Sequence, residues 1–110
     1  MSEEAVVAGS VEFAERLLGV LNDGGLALML SIGHRTGLFD AMAALPPSTS
    51  AQIAHAAKRD ERYVREWLAA MTVGRIVDYD SEQLTFSLPA DRAAWLTRAA
   101  GRANLALQTQ

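Results

Sequence analysis

The stretch TSAQIAHAAKRDERYVREWLAAMTVGRIVDYDSEQLTFSL, Thr49 to Leu88, decides the fold. Ser48-Thr49-Ser50 offers hydroxyl caps, and Ile53, Ala54 and Ala57 follow at helical spacing, so a helix is expected over 49–57. Lys58-Arg59-Asp60 is a tight connection, and Asp60 can cap the next helix. That helix, over 60–73, carries Val64, Trp67, Leu68 and Met71 at i, i+3, i+4 and i+7, a single apolar stripe. Gly74 is placed as its C-terminal residue. Two extended runs follow. Arg75 to Asp80 holds Ile76, Val77 and Tyr79, and Leu84 to Leu88 alternates strictly as Leu-Thr-Phe-Ser-Leu. Ser81-Glu82-Gln83 turns between them.

Helix, short turn, helix, glycine stop and hairpin is the order of a winged helix-turn-helix. Upstream, Ser10 is a candidate cap for a helix with Phe13, Ala14, Leu17, Leu18 and Leu21 at helical spacing. Asn22-Asp23-Gly24-Gly25 interrupts the pattern, either as a turn or as a weak point inside one long helix. The apolar set resumes at Leu26, Met29, Leu30 and Gly33, while Leu28 and Ile32 lie on the other side. A helix apolar on both faces must be covered on both faces, and in a small domain the second cover comes from another chain or another domain. His34 and Arg35 sit against the helix C-terminus before Thr36-Gly37 ends it. Leu38, Phe39, Met42 and Leu45 form a short helix stopped by Pro46-Pro47. Pro89 opens a last helix around Ala94, Trp95 and Leu96, with a further Ala- and Leu-rich stretch over 99–107.

The expected architecture is therefore mainly α, with a two-stranded wing flanked by N- and C-terminal dimerisation helices. Residues 1–9 are expected to be a flexible terminus, 10–98 the winged-helix dimerisation domain, and 99–110 the start of a linker helix.

Composition narrows the function classes. With 10 Lys and Arg against 13 Asp and Glu, the net charge of −3 is opposite in sign to the field that attracts phosphates. The absence of cysteine excludes a disulfide framework and a thiolate metal site. His34 and His55 are far apart, with no ligand cluster in sequence around them. No uninterrupted apolar run approaches the ~20 residues of a membrane span. The N-terminus, Met-Ser-Glu-Glu, is acidic where a signal peptide is basic, so a cytoplasmic location is expected.

A winged helix raises the question of DNA. Helix 60–73 would present Glu61, Arg62, Arg65, Glu66 and Ala69 to a major groove. Glu61 with Arg65 and Arg62 with Glu66 are i, i+4 pairs that neutralise each other, and the wing sets Asp78, Asp80 and Glu82 against a single Arg75. These charges favour a solvated structural face over a DNA-reading one. Trp67 and Met42 read as core side chains, and Trp95 as core or interface in equal measure.

Several runs resemble one methyltransferase group: Ala27-Leu28-Met29-Leu30-Ser31-Ile32-Gly33-His34-Arg35-Thr36-Gly37-Leu38-Phe39-Asp40, then Ser50 to Ala54, Asp60 to Leu68, Gly74 to Val77 and Phe86 to Pro89. The group is the bacterial class I methyltransferases with an N-terminal winged-helix domain, related to the plant-type O-methyltransferases. The resemblance spans residues 15–96. It implies a domain that forms a homodimer through its terminal helices and closes one side of the pocket for a small-molecule methyl acceptor, without using its wing for DNA. It implies S-adenosylmethionine as cofactor of the full-length protein. The sequence departs from the whole family in having no Gly-x-Gly loop after a strand and no βαβ pattern, so no catalytic, cofactor-binding or metal residue is assigned in it. The Rossmann-like catalytic domain is expected to lie outside this chain. Leu17, Leu21, Leu26, Leu28, Met29 and Ile32 are the expected dimer interface or substrate lid. The alternative reading is a stand-alone winged-helix DNA-binding regulator, and a scaffold built from the same domain is a third.

Overall fold

The computed structural model describes residues 2–98. Helix α1 runs Glu3–Arg35, α2 Leu38–Ala43, α3 Ser50–Ala57 and α4 Glu61–Val73; strands β1 Asp78–Asp80 and β2 Thr85–Ser87 precede α5, Ala90–Leu96. The two strands pair antiparallel, with Asp78 opposite Ser87, Tyr79 opposite Phe86 and Asp80 opposite Thr85. Ser48 adds a short bridge to the other edge of β2 by exchanging two backbone hydrogen bonds with Phe86. The result is a winged helix, mainly α.

Local chemistry explains the central motif. Thr49 caps α3 through a reciprocal box: its hydroxyl accepts from the Gln52 backbone N–H, and the Gln52 side chain accepts from the Thr49 N–H. Asp60 caps α4 by accepting from the Arg62 N–H. Ser50 Oγ donates to Glu61 Oε1 at 2.8 Å and ties the two helix starts together. The stripe expected on α4 is the core: Val64, Trp67, Leu68 and Met71 are buried, packed with Phe39, Met42, Ile53 and Val77. Phe39 and Trp67 meet edge to face, with ring centroids 5.1 Å apart.

Gly74 follows α4 as expected, but for a different reason. Its φ is an ordinary −75°, and the left-handed position belongs to Arg75, at φ 61°. A Cβ at Gly74 would lie 2.7 Å from Leu26 Cδ1, so the glycine lets the end of α4 approach α1.

One expectation about the N-terminal region is corrected, and of two open alternatives the long helix holds. The helix starts at the Ser2 cap, whose hydroxyl accepts from the Ala5 N–H, not at Ser10. Asn22-Asp23-Gly24-Gly25 is not a turn, and the helix passes straight through it. Two helical glycines cost about 2 kcal/mol against alanine. A break would instead free the unsatisfied groups of two helix ends and require a second nucleation. At about 1.5 Å per residue α1 is roughly 50 Å long, and the molecule measures 58 Å in its longest dimension. By length and composition alone, α1 is also long and apolar enough to cross a bilayer, although its sequence holds no uninterrupted apolar run of that length.

The last helix forms around Ala94, Trp95 and Leu96 as expected. It ends at Leu96, and Thr97 is extended. The stretch 99–110, expected to begin a linker helix, lies outside the described residues.

Candidate functional site

Helix α1 consists of two lengths with different surroundings. From Leu26 to Arg35 it packs on the body of the domain. Trp67 Nε1 donates to the Met29 carbonyl at 2.9 Å. Gly33 lies so close to the aromatic pair that a Cβ there would be 2.5 Å from Phe39 Cε2 and 2.6 Å from Trp67 Cζ2. The C-terminal end is held by Arg59 Nε, which donates to the Thr36 carbonyl, and by Arg98 Nη2, which donates to the His34 carbonyl. The Arg98 backbone N–H also donates to Asp40 at 2.8 Å, so three elements are joined at this corner.

From Glu3 to Gly25 every residue is exposed, and a Cβ at Gly9, Gly19, Gly24 or Gly25 would meet nothing within 4 Å. This arm is nonetheless apolar over about half its circumference. With 3.6 residues per turn, Val6, Val7, Phe13, Ala14, Leu17, Leu18, Val20 and Leu21 share one broad face, continued beyond the arm by Leu28. Glu4, Glu12, Glu15, Arg16, Asn22 and Asp23 occupy the opposite face. The two lengths are partly out of phase. The azimuth that the body covers around Leu26 and Gly33 continues up the arm as Glu15 and Asn22. Leu28, on the apolar face, is exposed, whereas Ser31 and Ile32, which continue the azimuths of Phe13 and Ala14, are covered by the body.

The six residues singled out in the sequence therefore divide in two. Leu17, Leu21 and Leu28 are 46%, 63% and 54% exposed and lie on the open face. Leu26, Met29 and Ile32 are half-buried and packed against the core. Sequence spacing alone passed over Val6 and Val7, because the first nine residues read as a frayed end. Their exposure, with that of Phe13, Leu18 and Val20, belongs to the same face.

A groove of about 680 Å³ opens where α1 passes α4, lined by Leu21, Leu26 and Met29 on one side and Ala69, Ala70 and Val73 on the other. A smaller hollow of about 250 Å³, on another side of α1, is bordered by Ile32, Tyr63 and Trp67. Both are mainly apolar, with Asn22 and Asp23 at the edge of the first and Arg59 and Asp60 at the edge of the second.

The face of α4 that a DNA reader would use is neutral in effect. Arg62 with Glu66 and Arg65 with Glu61 are both exposed pairs at 3.9 Å. In the wing, Asp78 accepts from Arg92 at 2.7 Å, while Asp80 accepts from the Glu82 and Gln83 backbone N–H groups and shapes the turn. Trp95 is exposed, which removes the core option for it. Met42 and Trp67 are core, and His55 is exposed. Among the described residues, no three His, Asp or Glu side chains gather as a metal site would need.

No curated protein matches the sequence. Solved structures that share the fold include the mitomycin 7-O-methyltransferase MmcR, with a TM-score of 0.70 at 19% identity over 82% of this chain and 26% of that one. Human N-acetylserotonin methyltransferase in complex with SAM matches with a TM-score of 0.65 at 19% identity, over 76% of this chain and 26% of that one. PigF, solved with SAH, matches with a TM-score of 0.58 at 20% identity, over 88% of this chain and 25% of that one. The chain spans about a quarter of each of these proteins, and at such identities the likeness is one of fold. The model of the Rv2258c-like winged HTH domain matches residues 24–98, from the middle of α1 to the last described residue, and the chain belongs to that family.

Proposed function

We propose that this chain is the dimerisation and substrate-lid domain of an S-adenosylmethionine-dependent methyltransferase that acts on a small molecule in the cytoplasm. Methyl transfer and cofactor binding belong to a C-terminal catalytic domain outside this chain. The observation that carries the reading is the open apolar face of α1 on a winged-helix body whose fold recurs as about a quarter of methyltransferase chains. An apolar face of this extent is a surface built to be covered. The apolar groove between α1 and α4 suits a lid, which shapes a pocket and excludes water without supplying reactive groups.

Two measurements test this. Sedimentation should give a dimer at micromolar concentration. Calorimetry with S-adenosylmethionine should show no binding to this chain and clear binding to a protein that carries the catalytic domain as well. A monomer at 100 µM, or cofactor binding by this chain alone, overturns the reading. The DNA-regulator alternative requires a salt-dependent complex with duplex DNA, and the paired charges of α4 argue against one.

A further inference from the structure

Helix α1 carries two starts, and only one of them is used in the long helix. We propose that α1 is an order–disorder switch: it is one helix from Glu3 to Arg35 while its apolar face is covered. Uncovered, the arm from Glu3 to Asn22 becomes open chain, and the helix begins at an Asp23 cap. The cover is that of the dimer reading above, on which this rests. What is added is the state of the arm without it.

Three observations carry the switch. The first is intrinsic preference. From Glu3 to Asn22 every residue is exposed, so within the chain only the arm's own ladder holds it helical. Helices in proteins owe most of their stability to packing rather than to propensity. Nine of these 20 residues are Val, Gly, Ser, Phe or Asn. Relative to alanine, each of the two glycines lowers the helix equilibrium about fivefold, and each of the other seven about threefold. Compounded, the loss is on the order of 10⁴ to 10⁵. The best helix formers gain at most about 1.6-fold per residue near 0 °C, which recovers on the order of 10⁴ over this length and less when warm. The uncovered helix is therefore the minor state.

The second is the placement of the glycines. Gly33 and Gly74 are small because a Cβ would strike a neighbour, but a Cβ at Gly9 or Gly19 would meet nothing within 4 Å. With 3.6 residues per turn, Gly9 and Gly19 stand on the polar face beside Glu12 and Arg16. A cover on the apolar face does not need them small either. They weaken the ladder with no return in packing, which keeps the arm close to melting.

The third is the second start. Asn22-Asp23 is cap chemistry, and Asp23 can accept from the Gly25 or Leu26 N–H once the residues before it leave the helix. Inside the long helix those N–H groups belong to the ladder, so the cap has no use there. Leu26, three residues past the cap, is the first side chain of α1 that packs against the core. Melting stops where packing begins. It creates one helix end that already has its cap, and it nucleates nothing new. Ordering the arm at assembly lowers the affinity that its apolar area would otherwise give.

Hydrogen–deuterium exchange of the full 110-residue chain, read by mass spectrometry alongside sedimentation, tests the switch. Leu21→Glu supplies the uncovered state, at a concentration where it sediments as a monomer. Glutamate is about as good a helix former as leucine, so only the face changes. In that monomer, amides of residues 5–20 should exchange within about threefold of open chain, and those of residues 29–35 should be slowed at least about 100-fold. In the associated parent both sets should be slowed. Adding Gly9→Ala and Gly19→Ala to Leu21→Glu should shift the monomer's arm about 25-fold toward helix and strengthen its far-ultraviolet ellipticity. Arm amides slowed in the Leu21→Glu monomer, or no gain in ellipticity from the two alanines, overturn the switch and leave the dimer reading intact. Arm amides that stay fast in the associated parent also overturn it, since the dimer then uses another surface. A parent that stays monomeric at 100 µM overturns both.

Discussion

Replacing Gly33 with alanine separates close helix packing from intrinsic helix preference, because the two effects have opposite signs. In an open helical position, alanine is favoured over glycine by about 1 kcal/mol. At Gly33 the added methyl carbon would sit 2.5 Å from Phe39 and 2.6 Å from Trp67, about an ångström inside ordinary contact. Neither ring can retreat cheaply. Phe39 and Trp67 are 1% and 3% exposed and packed edge to face, and the indole is tied to the Met29 carbonyl. Overpacking of this kind costs about 1–3 kcal/mol. Displacing the indole from a part-buried hydrogen bond adds about 1 kcal/mol. Set against the propensity gain, the net loss is about 2 kcal/mol, equivalent to roughly 10 °C in Tm for a domain of this size. Urea unfolding followed by circular dichroism, at one fixed protein concentration, measures it. Gly19→Ala is the control, since nothing lies within 4 Å of its added carbon, and it should be no less stable than the parent. A Gly33→Ala protein as stable as the parent would refute the close approach of α1 to the aromatic pair.

Four other variants address the remaining parts of the argument. Leu30→Asp places a carboxylate against the core and should cost about 3 kcal/mol of stability. Leu21→Glu, on the exposed face, should leave the unfolding of the body unchanged and weaken self-association about 100-fold, read by sedimentation. Arg62→Ala with Arg65→Ala removes two exposed ion pairs and should change stability by less than about 0.5 kcal/mol; a larger loss in urea would give those pairs a structural role. Lys58 ends α3 at φ 56°. Lys58→Gly should therefore raise the unfolding free energy by about 1 kcal/mol, and no gain would mean that the lysine is not strained there.

The sequence was most legible where one element serves one purpose. On α4 the cap, the apolar stripe and the charge pairs are local statements, and each is satisfied within a few residues of itself: Asp60 to Arg62, Val64 to Met71, Glu61 to Arg65. Gly74 shows where local reading stops. A glycine after a helix signals a left-handed cap, but here the left-handed residue is Arg75, and Gly74 is small because Leu26 of α1 crosses it. That reason is tertiary, and no window around residue 74 contains it. The extent of α1 was hidden in the same way. Asn22-Asp23-Gly24-Gly25 has the composition of a turn, and only the energetic comparison between a continued ladder and two new helix ends decides for the helix. The division of the six candidate residues followed from the body's position. Leu26 and Leu28 are equally apolar in sequence, yet one meets α4 and the other meets solvent.

The same two-part character of α1 bears on the bilayer. A helix of this length and apolarity passes the compositional test for a membrane span, but the test averages over the circumference and over surroundings. The second half of α1 is committed to the domain: Gly33 is in contact with two buried rings, and the Met29 carbonyl is held by Trp67. Drawing that half into lipid would strip Phe39 and Trp67 of their cover and break the core. The first half is exposed throughout, but it carries Glu12, Glu15, Arg16 and Asp23 along one side, too many charges to bury across a bilayer centre. What fits a helix apolar on one side and charged on the other is a cover on the apolar side alone. The dimer proposed above would supply that cover at Leu17 and Leu21 while leaving the carboxylates in water.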